Sequence, residues 1–127
     1  MLYINMPVRS LNSSVLRWPD RNEVDRAMRL WTAEQVRVRP ELVRLGYFGS
    51  YVRGDWGVGS DLDVIAIVTQ TAEPFERRPL EWDLTGLPVP AEIVVYSLPE
   101  WEKLEQGNMR FFRMLDRDVV WTFSMHK

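Results

Sequence analysis

The chain contains no cysteine and a single histidine among its 127 residues. The lack of cysteine excludes a disulfide framework, thiol catalysis and a cysteine-ligated zinc site. The one histidine, His126, stands next to the C-terminus, so a serine–histidine–aspartate triad is not expected. No apolar run approaches the roughly 20 residues of a transmembrane helix. Met1–Pro7 is too short and too interrupted for a signal peptide. We therefore expect a cytoplasmic protein that does not contact the membrane.

Neither sign of charge is in large excess, because 16 Lys and Arg residues face 18 Asp and Glu residues, for a net charge of -2. A broad nucleic-acid surface needs a basic excess, so we expect no extended surface of that kind. The positive residues are nearly all arginine, which suits local contacts with phosphate or with a partner protein. A hydrophobic content of 46% and a charged content of 27% are typical of a globular domain. We predict one domain over residues 1–127, with residues 1–19 as a lead-in segment.

Capping and periodicity signals predict an α/β (α+β) fold, in which a mixed β-sheet is flanked by helices. Asp20 is a predicted N-cap, and Glu23 three residues later completes a capping box. The helix should end near Arg39, ahead of Pro40. The unbroken apolar run over 64–68 predicts a strand buried on both faces. The predicted helices run to residue 38 and over 99–115, and the second is loosened at 107–108. The predicted strands cover 43–48, 62–68, 91–96 and 119–123. The predicted connections are a glycine-rich loop over 54–60, a surface connection over 69–79 and a weak strand or turn over 82–84.

One stretch carries most of the chemical signal. Gly49-Ser50 is followed, after ten residues, by Asp61-Leu62-Asp63 and then by the apolar strand. Residues i and i+2 of a strand point to the same face, so Asp61 and Asp63 can place two carboxylates side by side. Their repulsion favours a divalent cation, and Mg²⁺ takes carboxylates together with substrate phosphates. Gly49 allows a phosphate to approach the backbone, and Ser50 adds a hydroxyl and can open a helical turn.

Other residues near this stretch have two interpretations each. Arg53, three residues after Ser50, is either a triphosphate or partner contact or only a surface charge. Ser60 either binds phosphate or shapes the turn before the strand. Trp56 either stacks on a nucleobase or packs on its own domain. Glu92, which opens the predicted third strand, is either a further metal ligand or a solvated acid at a strand edge.

The order Gly-Ser, ten residues, Asp-x-Asp resembles the minimal nucleotidyltransferase family of the DNA polymerase beta superfamily. The resemblance covers roughly residues 20–123. The family expects a third acid on a later strand. Glu92 fits that place, although the family usually has aspartate there. The resemblance implies two Mg²⁺ ions held by the catalytic residues Asp61, Asp63 and Glu92. It also implies ATP as the donor of AMP. The residues expected to bind this nucleotide are Gly49, Ser50, Arg53 and Ser60.

The resemblance also implies the acceptor. Larger members of the superfamily carry a second domain for the acceptor, and the residues of this chain leave no room for one. Minimal members often pair with a HEPN-family ribonuclease toxin. We therefore expect an antitoxin that transfers AMP to a hydroxyl group, that of a tyrosine, on such a toxin. A partner-binding module without transfer and an adenylyltransferase for a small molecule, acting as a dimer, are the alternatives.

The last predicted helix offers a docking surface for that partner. It carries Phe111, Phe112 and Met114 beside Arg110 and Arg113. This is more apolar surface than one buried stripe needs. The alternative interpretation is that Phe111 and Met114 pack on the sheet and that Phe112 alone is exposed.

Overall fold

A computed structural model describes residues 17–125 of the chain. Most of the predicted lead-in segment, residues 1–16, and His126 lie outside this range. Between residues 17 and 125, no helix is long and apolar enough to cross a membrane. The elements are α1 (Arg21–Val38), β1 (Leu42–Phe48), α2 (Ser50–Arg53), β2 (Leu62–Val68), a 3-10 segment (Phe75–Glu81), β3 (Ala91–Ser97), α3 (Leu98–Gly107), α4 (Met109–Asp118) and β4 (Val120–Ser124).

The four strands form one mixed sheet in the order β3-β2-β1-β4. Strand β1 is antiparallel to both of its neighbours, and β2 is parallel to β3. Helix α1 packs on one face of the sheet, while α3 and α4 lie on the other. Alternate side chains of β2 therefore enter two different cores, with Val64 on the α1 face and Ile65 on the α3–α4 face. The predicted mixed sheet and the predicted burial of β2 on both faces are confirmed.

Helix α1 begins and ends where its sequence signals predict. The Asp20 side chain accepts a hydrogen bond from the Glu23 N–H at 2.9 Å, and the Glu23 carboxylate accepts one from the Asp20 N–H at 2.9 Å. This reciprocal capping box satisfies two N–H groups that would otherwise lack partners. The apolar stripe of the helix buries Val24, Met28 and Trp31 against the sheet.

The second half of the chain departs from the prediction in two places. Most of the connection over 69–79 is exposed, as predicted, but it runs into a 3-10 segment whose Arg78 is buried. The weak strand or turn predicted over 82–84 is not a strand, and a turn begins at its last residue, where the Leu87 N–H donates to the Leu84 carbonyl at 3.1 Å. The helix predicted over 99–115 is two helices, because Asn108 ends α3 and caps α4. Its N–H donates to the Leu104 carbonyl at 3.0 Å, and its side chain accepts from the Phe111 N–H at 3.1 Å. Asparagine beside Gly107 favours such a break, because its amide competes for backbone groups and glycine weakens the helix.

Buried Arg78 ties the 3-10 segment to the sheet and to α3. Its guanidinium donates to the carbonyls of Glu73 at 2.8 Å and Val95 at 2.9 Å. It also donates twice to the Glu100 carboxylate, at 2.8 and 3.0 Å. Glu100 in turn completes the capping box of α3 with Ser97, so Pro99 occupies the second position of the helix and not the predicted first. Arg78 and its partners therefore link the 3-10 segment to β3 and to the start of α3.

Candidate functional site

The Gly49-Ser50 pair lies where β1 ends and the single turn of α2 begins. Gly49 has φ 95°, a conformation that side chains rarely adopt, and a Cβ atom built on it would collide with the Asp63 carboxylate. Glycine is therefore required here by backbone conformation and by the close approach of Asp63. The prediction that Ser50 opens a helical turn is confirmed by α2.

The three acids lie at one edge of the sheet. Asp63 in central strand β2 is paired with Phe48 of β1 on one side and with Glu92 of β3 on the other. Asp61 precedes β2 by one residue. Asp63 is partly buried, while Asp61 and Glu92 are exposed. The register thus brings Asp63 between the Gly49 turn and Glu92.

The surroundings of Asp63 raise the pKa of its carboxyl group. Burial raises the pKa of the Asp63 carboxyl, and the negative charges of Glu92 and Asp61 raise it further, while Arg53 opposes them. A raised pKa means that the ionised carboxylate is disfavoured, partly by its acidic neighbours. A divalent cation would relieve that repulsion, and an all-carboxylate donor set suits Mg²⁺. Across residues 17–125, no three His, Cys, Asp or Glu side chains are grouped closely enough to hold a metal ion. Binding of a metal ion at this place would require the exposed Asp61 and Glu92 side chains to turn towards Asp63.

The other predicted contacts have clear structural roles. Arg53 is exposed, and its Nε lies 3.3 Å from Asp55 Oδ2. The Ser60 hydroxyl accepts a hydrogen bond from the Gly57 N–H at 2.8 Å, and the Ser60 N–H donates to the Gly57 carbonyl at 2.9 Å. Ser60 therefore shapes the turn that leads into β2, and its contact with phosphate stays a prediction.

Trp56 packs on its own domain. Its ring stacks on Tyr51, with 5.6 Å between ring centroids and 10° between ring planes. Tyr51 is fully buried in the core on the α1 face. This contact favours the packing interpretation over the stacking of Trp56 on a nucleobase.

Helix α4 presents its apolar side chains in an unexpected way. Phe112 is partly buried, with its ring centroid 5.0 Å from that of Trp101. Phe111 and Met114 are 39% and 49% exposed. The interpretation in which Phe112 alone is exposed is wrong, because the break at Asn108 sets the orientation of α4 independently of α3.

Sequence reasoning missed a groove of about 440 Å³ between α4 and the sheet, which we call the α4 groove. Gly49 and Arg53 are among the residues that line it. Its apolar lining comes from the sheet and from α4, and includes Phe48, Ile65, Val94, Tyr96, Phe111 and Met114. The alternation in β2 and β3 was a usable signal, because Ile65 and Val94 each follow an acid by two residues and so share its face.

The family can now be assigned. The nucleotidyltransferase domain profile matches residues 31–119, a range that includes the Gly49 turn and all three acids. The chain belongs to the nucleotidyltransferase family. The resemblance drawn from the Gly-Ser and Asp-x-Asp motif is thus confirmed at the level of this domain. Its minimal branch and its pairing with a HEPN toxin stay predictions.

Two solved structures share the fold of this nucleotidyltransferase. The first is a protein from Sulfolobus solfataricus, provisionally assigned as a nucleotidyltransferase, with a TM-score of 0.58 and 18% identity over 84% of this chain and 86% of that one. The second is a chain from a toxin-antitoxin structure with AMP-PNP, with a TM-score of 0.50 and 14% identity over 85% of this chain and 76% of that one. At these identities the likeness concerns the fold alone. A comparison with curated proteins finds no match.

Proposed function

We propose that this nucleotidyltransferase transfers AMP from ATP to a hydroxyl group of a partner protein, in a reaction that depends on Mg²⁺. The observation that supports this most directly is the position of Asp63. Its carboxylate stands against Gly49, where a phosphate-binding turn is expected, and its strand neighbour is Glu92. Donor phosphates and a third acid would thus meet at one carboxylate, as nucleotidyl transfer requires.

The roles of the side chains follow from this arrangement. Asp61, Asp63 and Glu92 would hold two Mg²⁺ ions, which would neutralise the triphosphate and lower the pKa of the acceptor hydroxyl. Gly49 and Ser50 would contact phosphate oxygens, with Ser60 as a further candidate. Arg53 would offset negative charge on the departing pyrophosphate. Glu92 is exposed, so its carboxylate is accessible to take the proton of an arriving hydroxyl.

The proposed acceptor is a tyrosine of a HEPN-family toxin, for which the chain would serve as antitoxin. The motif resemblance supports this, and the fold likeness to a chain of a toxin-antitoxin structure with AMP-PNP agrees with it. Helix α4 lies on the acid-bearing face of the sheet, and its exposed Met109, which is not among the residues that line the α4 groove, offers an apolar contact for such a partner.

A second candidate is a partner-binding domain that has lost transfer. It is favoured by the glutamate at the third acid and by the absence, within residues 17–125, of three acids grouped to hold a metal ion. An adenylyltransferase for a small hydroxylated molecule is the third interpretation, and the same experiment separates it from the others.

The test uses the full chain, Mg²⁺, ATP labelled on the α-phosphate and the protein encoded by the adjacent gene. We expect a stable complex and a mass increase of one or more AMP units on the partner. Asp63→Asn and Glu92→Gln should reduce transfer at least 100-fold, an order of magnitude typical for the loss of a catalytic group. Glu105→Gln, an exposed acid of α3, is the matched control.

Three other outcomes of this experiment would contradict the proposal or favour another candidate. Near-normal transfer by Asp63→Asn would refute the mechanism. A complex without AMP transfer would favour the binding domain. Transfer to a small hydroxylated compound, with no complex, would favour the third interpretation.

A further inference from the structure

The α4 groove lies next to the acids on the same face of the sheet. In β2 and β3, Ile65 and Val94 follow Asp63 and Glu92 by two residues, so each shares a face with its acid. Tyr96 extends this floor by another two residues, and Phe111 and Met114 of α4 form the opposite wall. The groove therefore begins where the row of acids ends.

Two residues of the proposed phosphate site, Gly49 and Arg53, are among those that line the groove, whereas Asp61, Asp63 and Glu92 are not. The lining also includes one acid, Asp118. A molecule seated in the groove is therefore adjacent to the residues that would bind a triphosphate.

The rest of the lining suits the faces of a flat ring. Aromatic side chains of Phe48, Tyr96 and Phe111 contribute to it, and the volume of about 440 Å³ falls within the range of small-molecule sites. Phe111 and Met114, at 39% and 49% exposure, would gain burial if a ligand lay between them and the sheet. A ligand with a polyanionic end and a planar apolar end is a nucleoside triphosphate.

From these observations we infer that the α4 groove binds the nucleobase of the donor nucleotide, and so forms part of the nucleotide site. This inference rests on the proposed function, in which Gly49 and Arg53 contact the phosphates of the nucleotide. The inference also predicts which nucleobases the groove prefers. Contacts to ring faces depend on ring area, whereas selection between adenine and guanine needs hydrogen bonds to the ring edge. Apart from Arg53, only Tyr96 and Asp118 among the lining side chains carry polar groups that could make such bonds. Purines should therefore bind better than pyrimidines, with ATP and GTP within about tenfold of each other.

The experiment measures the binding of two probes by calorimetry in the presence of Mg²⁺. The probes are ATP and inorganic tripolyphosphate, which lacks the base. We expect Phe111→Ala to weaken ATP binding about tenfold, the scale of one lost base–aromatic contact. Tripolyphosphate binding should stay unchanged. Met114→Ala is the second variant, and Leu80→Ala, which removes a 76% exposed leucine outside the groove, is the control. Thermal melts verify that each variant is folded.

Three results would overturn the inference. ATP affinities of both groove variants within twofold of wild type would show that the groove does not hold the base. An equal loss for ATP and tripolyphosphate would place the effect on the phosphates. Unchanged ATP affinity with lost AMP transfer would assign the groove to the acceptor. By contrast, a wild-type protein that binds neither probe would refute the proposed function itself, and the inference with it.

Discussion

Replacing Glu100 with alanine should destabilise the protein strongly, because it leaves a buried guanidinium without its counter-ion. Arg78 is 7% exposed and donates two hydrogen bonds to Glu100, at 2.8 and 3.0 Å. Its remaining bonds go to the carbonyls of Glu73 and Val95, which are neutral. An uncompensated charge in this position is expensive, whereas the same substitution at an exposed ion pair would have little effect.

The magnitude follows from the unequal burial of the two partners. Breaking a fully buried pair costs about 3–5 kcal/mol, and an exposed pair contributes about 0–1 kcal/mol. The Glu100 side chain is 44% exposed against 8% for Arg78, so water screens one side of the pair. We expect a loss of about 2 kcal/mol in the free energy of unfolding, including the lost α3 capping box. For a domain of this size that corresponds to a decrease in Tm of roughly 6–8 °C.

The pH dependence gives an independent check. Hydrogen bonding from Arg78 is the main reason why the pKa of Glu100 falls from 4.5 to about 2. A carboxyl whose folded pKa is lowered stabilises the protein above its unfolded pKa, and this contribution is lost as the pH falls towards the folded value. The difference in the free energy of unfolding between wild type and Glu100→Ala should therefore be largest at pH 7. It should decrease between pH 4.5 and about 2.

Urea unfolding followed by circular dichroism measures this difference at each pH. Glu105→Ala, on the exposed side of the same helix, is the matched control and should change stability by less than about 0.5 kcal/mol. A double-mutant cycle with Arg78→Met isolates the coupling between the two side chains. A loss at pH 7 below about 0.5 kcal/mol, or one that does not vary with pH, would refute the reasoning.

Two further predictions concern the site. Asp63→Asn should raise Tm in metal-free buffer by about 1–3 °C at pH 7, because burial and the neighbouring acids raise the Asp63 pKa and so disfavour its ionised form. Thermal scans should show this gain vanish at low pH, and an unchanged Tm at pH 7 would contradict it. Gly49→Ala should cost more stability than Gly54→Ala in urea unfolding, since both glycines have positive φ but a Cβ collides with Asp63 only at Gly49. Gly54→Ala should cost about 1–2 kcal/mol from backbone strain alone; equal losses would show that the Asp63 carboxylate moves aside freely.

Signals that are local in the chain predicted the structure well. The capping box at Asp20 and Glu23 needs residues three positions apart, and it sets the start of α1 as predicted. The apolar run after Asp63 predicts the bounds of β2, and the Gly49-Ser50 pair marks the turn after β1. Each of these signals depends on residues that are close together in the chain, so it can be recognised from the sequence alone.

Features that depend on distant pairing could not be predicted in the same way. A place for Glu92 near Asp63 was expected from the family resemblance alone; the residues around Glu92 do not indicate the register, because it is set by packing of the whole sheet. Arg78 stands in a charged stretch beside Arg77, and nothing in that stretch distinguishes the buried guanidinium from the exposed one. The exposure of Phe111 depends on the break at Asn108, beyond which the periodicity of α3 no longer applies.

The two faces of the sheet are covered to different degrees, and the difference coincides with the site. On one face, α1 buries five side chains, including Val24 and Met28 at 0% exposure. On the other face, α4 has no buried residue and is held by its Asn108 cap, by partly buried Phe112 and Leu115, and by the ion pair of Asp116 with Arg44. Elements with little buried apolar surface open at low cost. We therefore expect α4, which lies on the face that carries Asp63 and Glu92, to open at lower cost than α1. A ligand bound in the α4 groove would add the burial that α4 lacks, so binding of the nucleotide there and ordering of α4 should be coupled.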